Sequence, residues 1–267
     1  MVDVNIIIGK RVKKLSVPES WAELDGQQLK SACAYRVMQV GGADNLYKTA
    51  RRIIGADRRT WRKIPPAQKC LMCEELLGFI TKDTPSFRDN KLPTVRAGLR
   101  RLRGFDDMLS DVTWEEFIFA DTFMLKGMFH EAVTVLYRPA SPLTGKRRPF
   151  SENDLPKNSR RTEKLDDLTV ATIAVNYRAV RKAAIEEKNR LLFPPADDTY
   201  IDGELIKTEI TKPQEPNQSA GWADTHHILM GDQAYEERKF LDSKATTIIS
   251  WINRRIRESR ERERRMK

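Results

Sequence analysis

The sequence predicts a mainly α protein: a helical body with a small N-terminal β-hairpin and a C-terminal helical segment after a linker. Three observations predict it. Apolar residues recur at helical spacing along most of residues 20–193, most clearly in "TWEEFIFADTFMLKGMFHEAVTVLYR". Residues 4–17 alternate instead: Val4, Ile6 and Ile8, then Val12, Leu15 and Val17 beyond Gly9-Lys10. A polar, proline-bearing stretch, "TKPQEPNQSAG", separates the body from the C-terminal segment. The expected organisation is a β element over 1–19, a helical body over 20–193, a linker with room for a short hairpin over 194–220, and a C-terminal helical segment with a basic tail over 221–267.

The N-terminal strands need something to pack on, because a lone hairpin is marginal in water. Ser20 and Glu23 have the spacing of a reciprocal capping box. They would open a helix whose apolar face is Trp21, Leu24, Leu29, Ala32, Cys33 and Val37, with Gly41-Gly42 as its stop. Asp44 can cap the next segment, and Pro66 suits the first turn of a helix through "AQKCLMCEELLGFI". Residues 81–93 read as loop. Thr113 and Glu116 repeat the capping box ahead of the strongest stripe: Trp114, Phe117, Ile118, Asp121, Met124, Leu125, Met128, Ala132 and Val135. Asp121 is its polar member. A second good helix runs through "LDDLTVATIAVNYRAVRKAAIEEKNRLLF" to Pro194-Pro195. Asp-Gly in "TYIDGELI" marks a small hairpin. "GWADTHHILMG" and "KFLDSKATTIISWINRRI" read as two short helices before the tail.

Composition narrows the function classes. The 267 residues are 40% hydrophobic and 32% charged. No run approaches the ~18 apolar residues of a membrane span. The N-terminus lacks the parts of a signal peptide. Three cysteines make no disulfide framework, so a reducing cytoplasm is expected. Cys70 and Cys73 have the spacing of half a zinc site, but the second pair is missing and both lie on an apolar stripe. His226 and His227 point about 100° apart on a helix and do not converge. Acid pairs such as Glu115-Glu116, Asp106-Asp107 and Asp166-Asp167 sit at helix starts, where they meet free amides. No phosphate-cradling glycine loop appears. Neither metal nor cofactor is expected, and nothing assembles an enzyme's site.

The charge is the informative part, at +10 overall. Arg51, Arg52, Arg58, Arg59 and Arg62 surround Trp61, "GLRRLRGF" lies further along, and the tail carries Arg254, Arg255 and Arg257. Clustered cations with an interleaved aromatic suit phosphates and bases. A solvated surface is the alternative, since Glu258/Arg262 and Glu261/Arg265 pair at helical spacing. In "YRPASPLTGKRRPF", Pro139 ends a helix, Arg138 complements its C-terminal carbonyls, and Lys146, Arg147 and Arg148 remain to meet a partner.

"VPESWAEL", "TWEEFIFADTFM" leading to "AVTVLYRPAS", and "GWADTHHILMG", in that order, resemble Bacteroidetes phage and prophage tail-assembly chaperones and related tail-module proteins. The resemblance implies a non-enzymatic tail-assembly factor that binds the tape measure or other tail proteins, in the host bacterial cytoplasm or in the virion. Trp114, Phe117, Asp121, Tyr137, Arg138, Lys146, Arg147 and Arg148 would then organise the partner surface. The alternative is a basic helical nucleic-acid-binding protein, or a structural virion protein of the neck, tail or packaged DNA, using Arg51, Arg52, Arg58, Arg59, Arg62, Arg254, Arg255 and Arg257.

Overall fold

A computed structural model describes residues 1–8, 11–38, 42–194, 200–201, 204–205, 221–230 and 236–266. The fold is mainly α with a two-stranded N-terminal hairpin and a C-terminal helix. Strands β1 (Val2–Ile8) and β2 (Arg11–Val17) pair antiparallel with Val4 opposite Leu15. Ile6 and Val17 are buried. The Gly9-Lys10 turn lies outside the described residues.

The helix expected from Ser20 starts later. Ser20 makes no cap bond, and only one 3-10 turn forms at Trp21–Glu23. The Glu23 carboxylate instead accepts the Glu19 amide at 2.9 Å and pairs with the N-terminal ammonium at 2.6 Å. Helix α1 begins at Gly26 and runs to Met38. The expected stop also shifts: residue 41 lies outside the described residues, and Gly42 opens α2 (Gly42–Ile53). Asp44 falls within that first turn; its side chain is outside the described set. Helix α3 (Arg58–Lys63) comes next, then α4 (Pro66–Leu71), which starts on Pro66 as expected and passes through a π turn, Met72–Leu76, to α5 (Gly78–Lys82).

The arginine-rich run after residue 93 forms a hairpin that hydrophobic periodicity does not predict. Strands β3 (Thr94–Ala97) and β4 (Arg100–Arg103) pair antiparallel with Val95, Ala97 and Leu102 buried. The strongest predicted helix is broken into α6 (Trp114–Leu125) and α7 (Phe129–Leu136). Gly127 sits between them at φ +72°, a left-handed position that glycine tolerates. Leu125 and Met128, expected on one continuous stripe, are exposed at this corner. After α7, β5 (Arg138–Pro139) adds to β4. Helices α8 (Leu155–Thr162) and α9 (Asp167–Arg181) are next, and α9 continues as a π turn, Lys182–Glu186.

Strands β6 (Tyr200–Ile201) and β7 (Glu204–Leu205) pair antiparallel; the Asp-Gly turn expected between them lies outside the described residues. The linker proper, 206–220, lies outside the described residues. Helices α10 (Trp222–Met230), α11 (Glu237–Leu241) and α12 (Ala245–Met266) complete the chain. The tail expected beyond a short last helix is thus part of a 22-residue one. No described helix is long and apolar enough to cross a membrane.

The chain forms two compact units, so the body expected as one piece is divided. The first joins residues 1–87 to 163–179, and the second joins 88–162 to 180–267. In the first, Trp21 packs edge-on against Phe79 and Phe87, with Ile53, Ile64, Leu77 and Ile80 buried. In the second, α6 lies against α7, α10, α11 and α12.

Candidate functional site

Residues 113–140 and the 221–230 segment, two of the three stretches singled out in the sequence, assemble inside the second unit, whereas residues 17–24 belong to the first. Trp114 and Phe117 are fully buried and stacked, with Trp222 edge-on to both. Trp114 Nε1 donates to His226 Nδ1 at 3.3 Å. Asp121, the polar member of the stripe, accepts from Trp222 Nε1 at 2.6 Å and pairs with Arg181 Nε at 2.6 Å. Arg181 in turn lies over Phe117 and Phe193. These contacts all lie within the same unit, and the His226 Nε2 on the far side of the ring has the Glu237 carboxylate 3.4 Å away.

The "LYRP" junction is just as internal. Tyr137 donates to the Leu92 carbonyl at 2.8 Å, and its ring leaves no room for a side chain at Gly104. Arg138 donates to the carbonyl of Val135, in the last turn of α7, and to that of Arg148. Its remaining nitrogen pairs with Glu116. Arg147 pairs with the other Glu116 oxygen at 2.8 Å and with Asp111 at 2.9 Å, and donates to the Leu136 carbonyl. Both arginines and Glu116 have side chains no more than 3% exposed. Burial, then the neighbouring Arg147 charge, lower the Arg138 guanidinium to about 10, against the opposing pull of Glu116.

Of the eight residues expected to form a partner surface, Trp114, Phe117, Asp121, Tyr137, Arg138 and Arg147 are therefore interior, and only Lys146 and Arg148 face solvent. The interior six hold the unit together. Sequence reasoning missed Glu116, which it read as a capping residue. Thr113 does accept the Glu116 amide, but the Glu116 carboxylate turns inward between two arginines.

The basic residues of the first unit behave differently. Ala50, Ile53 and Ile54 bury one side of α2, which leaves Lys48 and Arg52 outside and Arg51 half-buried. Gly55, at φ +68°, ends the helix, with the Ala56 amide reaching back to the Arg51 carbonyl. Gln28 from α1 donates to the Ile53 carbonyl at 2.6 Å. Two residues beyond Gly55, Asp57 caps α3 by accepting the Arg59 and Thr60 amides at 2.9 and 2.8 Å. These bonds, led by the Thr60 hydroxyl, pull the Asp57 carboxyl down to about 2.

The tight turn brings the two helices around a cavity of about 450 Å³ lined by Tyr47, Lys48, Arg51, Arg52, Arg58, Trp61 and Arg62. No acid among the described residues lines it. Among the described residues, none of its five cations has an ion pair or a side-chain hydrogen bond. Trp61 is only 9% exposed and has Lys69 Nζ 5.7 Å from its ring, so it forms the floor of the cavity rather than a stacking platform. The structure thus brings together four of the five arginines expected here; Arg59 is exposed but does not line the cavity. Lys48 opens the basic run of residues 48–63 in the sequence, whereas Tyr47 just before it carries no such signal.

The other expected sites stay apart. Arg254 pairs with Glu258 at 2.9 Å, Arg255 lies over Trp251, and Arg257 is exposed on α12. Cys70 Sγ approaches Glu74 at 3.1 Å, and burial pushes the Cys73 thiol up to about 11. Among the described residues no group of three or more His, Cys, Asp or Glu side chains is placed to hold a metal ion.

Comparison with known protein families, with curated proteins and with solved structures gives no match.

Proposed function

We propose that this protein binds nucleic acid through its phosphates at the basic face of α2 and α3, without enzymatic chemistry. The observation that carries the reading is the cavity of Lys48, Arg51, Arg52, Arg58 and Arg62, five cations with no acid among the described residues of the lining. Holding like charges together opposes folding, and a bound polyanion relieves that repulsion. Arginine adds a planar fork that fits phosphate oxygens in pairs. With Trp61 forming the floor, base stacking has little surface to use, so the binding is directed at the backbone and indifferent to sequence. The tail-module resemblance supplies the setting for this reading: a basic structural protein of a phage particle or of its assembly.

The test is binding of labelled DNA by the full chain over a range of salt. Wild-type affinity should fall steeply as salt rises. R51A/R52A/R58A/R62A should weaken binding to all sequences alike and flatten the log–log salt slope by about 0.9 for each phosphate no longer neutralised. An unchanged slope in that variant would overturn the assignment. Co-purification of both proteins with a tape measure partner, unaltered by the substitutions, would favour the tail-assembly role instead.

A further inference from the structure

We propose that the β3–β4 hairpin of the second unit is a separate nucleic-acid contact, a cationic finger with an apolar tip that enters a groove of a duplex. Four observations carry it. The turn is two residues long, Gly98-Leu99, with Gly98 at φ +62°, as a type II′ hairpin requires of its first central residue. Leu99 therefore stands at the very tip and is fully exposed. Val95, Ala97 and Leu102 take one face into the core, which sends Arg96 and Arg101 out on the other. The register sets Arg96 directly opposite Arg101, while Arg100, opposite Ala97, closes the turn on the other face and is exposed there.

Directly opposed like charges destabilise a strand pair. Among the described residues, no acid or hydrogen-bond acceptor takes the guanidinium of Arg96, Arg100 or Arg101. Arg103, on the same strand, shows what a structural arginine does here: it bonds the Gly145 carbonyl and pairs with Asp106, both at 3.1 Å. Edge protection accounts for part of the charge, since β5 pairs only with Leu102 and Arg103 of β4 and leaves Arg100 and Arg101 with a strand on one side. But a charged edge does not call for an exposed leucine at the turn. An exposed leucine at the tip also works against solubility.

Phosphates flanking a groove would neutralise the opposed arginines, and a two-stranded ribbon is narrow enough for the major groove, about 12 Å wide. The leucine tip would make apolar contact there with thymine methyl groups. The inference does not rest on the α2–α3 cavity.

The experiment uses the full chain, a short fluorescein-labelled duplex DNA and a salt series, with thermal melting of each variant alongside. R96A/R101A should weaken duplex binding several-fold and flatten the salt slope by about two, at ~0.9 per phosphate. Its melting temperature should hold or rise, because the like-charge pair is gone. L99S should weaken binding and leave the slope unchanged, since an apolar contact releases no counterions. Unchanged affinity and slope in R96A/R101A would overturn the proposal. So would a loss confined to a polyglutamate probe, which would make the partner an acidic protein. The R51A/R52A/R58A/R62A variant is measured in parallel. If it binds as wild type while the hairpin variants do not, the α2–α3 reading fails and the hairpin assignment stands.

Discussion

At the residue scale, the second unit turns on Glu116. One carboxylate, buried in the first turn of α6, holds two buried arginines that arrive from different segments. Burying three charges is costly, and such a cluster is tolerated only when every member is paired. Glu116→Gln keeps the shape and removes the counter-charge, so Arg138 loses its ion pair with Glu116 while Arg147 keeps the one with Asp111. Chemical denaturation should show a loss of about 3–5 kcal/mol, the range for breaking a buried pair from one side. The burial of Trp114 and Phe117 was legible from the apolar stripe, and the helix stop at Pro139 from its missing amide. The inward turn of Glu116 was not. Nothing local distinguishes a capping glutamate from one that will meet arginines 22 and 31 residues away.

At the element scale, the legible features were those set by local backbone chemistry. The N-terminal hairpin, Pro66 at its helix start and the β6–β7 pairing all needed only neighbours in sequence. The α6–α7 break was hidden because Leu125 and Met128 continue the apolar period right through it, although both end up exposed. The β3–β4 hairpin was hidden because its buried residues are only Val95, Ala97 and Leu102 among arginines. The cap of α3 gives a pH prediction. The Asp57 carboxyl in the folded chain lies at about 2, below the ~3.9 of an unperturbed aspartate. Its stabilisation is therefore complete above about pH 4 and is lost as pH falls toward 2. The protection of the Arg59 and Thr60 amides against hydrogen exchange, relative to the unstructured rate at the same pH, should fall over that window, and Asp57→Ala should remove that fall.

At the scale of the whole chain, two compact units replaced one expected body, and the reason is sequence distance. The first unit takes residues 163–179 from beyond the second unit's first segment. That choice is made by packing, not by local pattern. The second unit is closed in a similar long-range way by α10, whose Trp222 completes the surroundings of Asp121 and Phe117. Trp222→Ala should cost roughly 2–4 kcal/mol, below the upper end for a tryptophan truncation because the ring is only half-buried. Limited proteolysis should then cut near α10 at protease levels that spare the wild type.

The bonds from α10 to α6 also set a schedule. They join residues 101 and 112 positions apart. At synthesis rates of about 5–20 residues per second, α6 leaves the ribosome roughly 5–20 s before its partners exist. Throughout that interval Trp114, Phe117 and Asp121 form an open aromatic face with a charge at its centre. The nascent chain spends those seconds as a half-built unit, and this is when its aggregation, or its capture by a chaperone, will be decided.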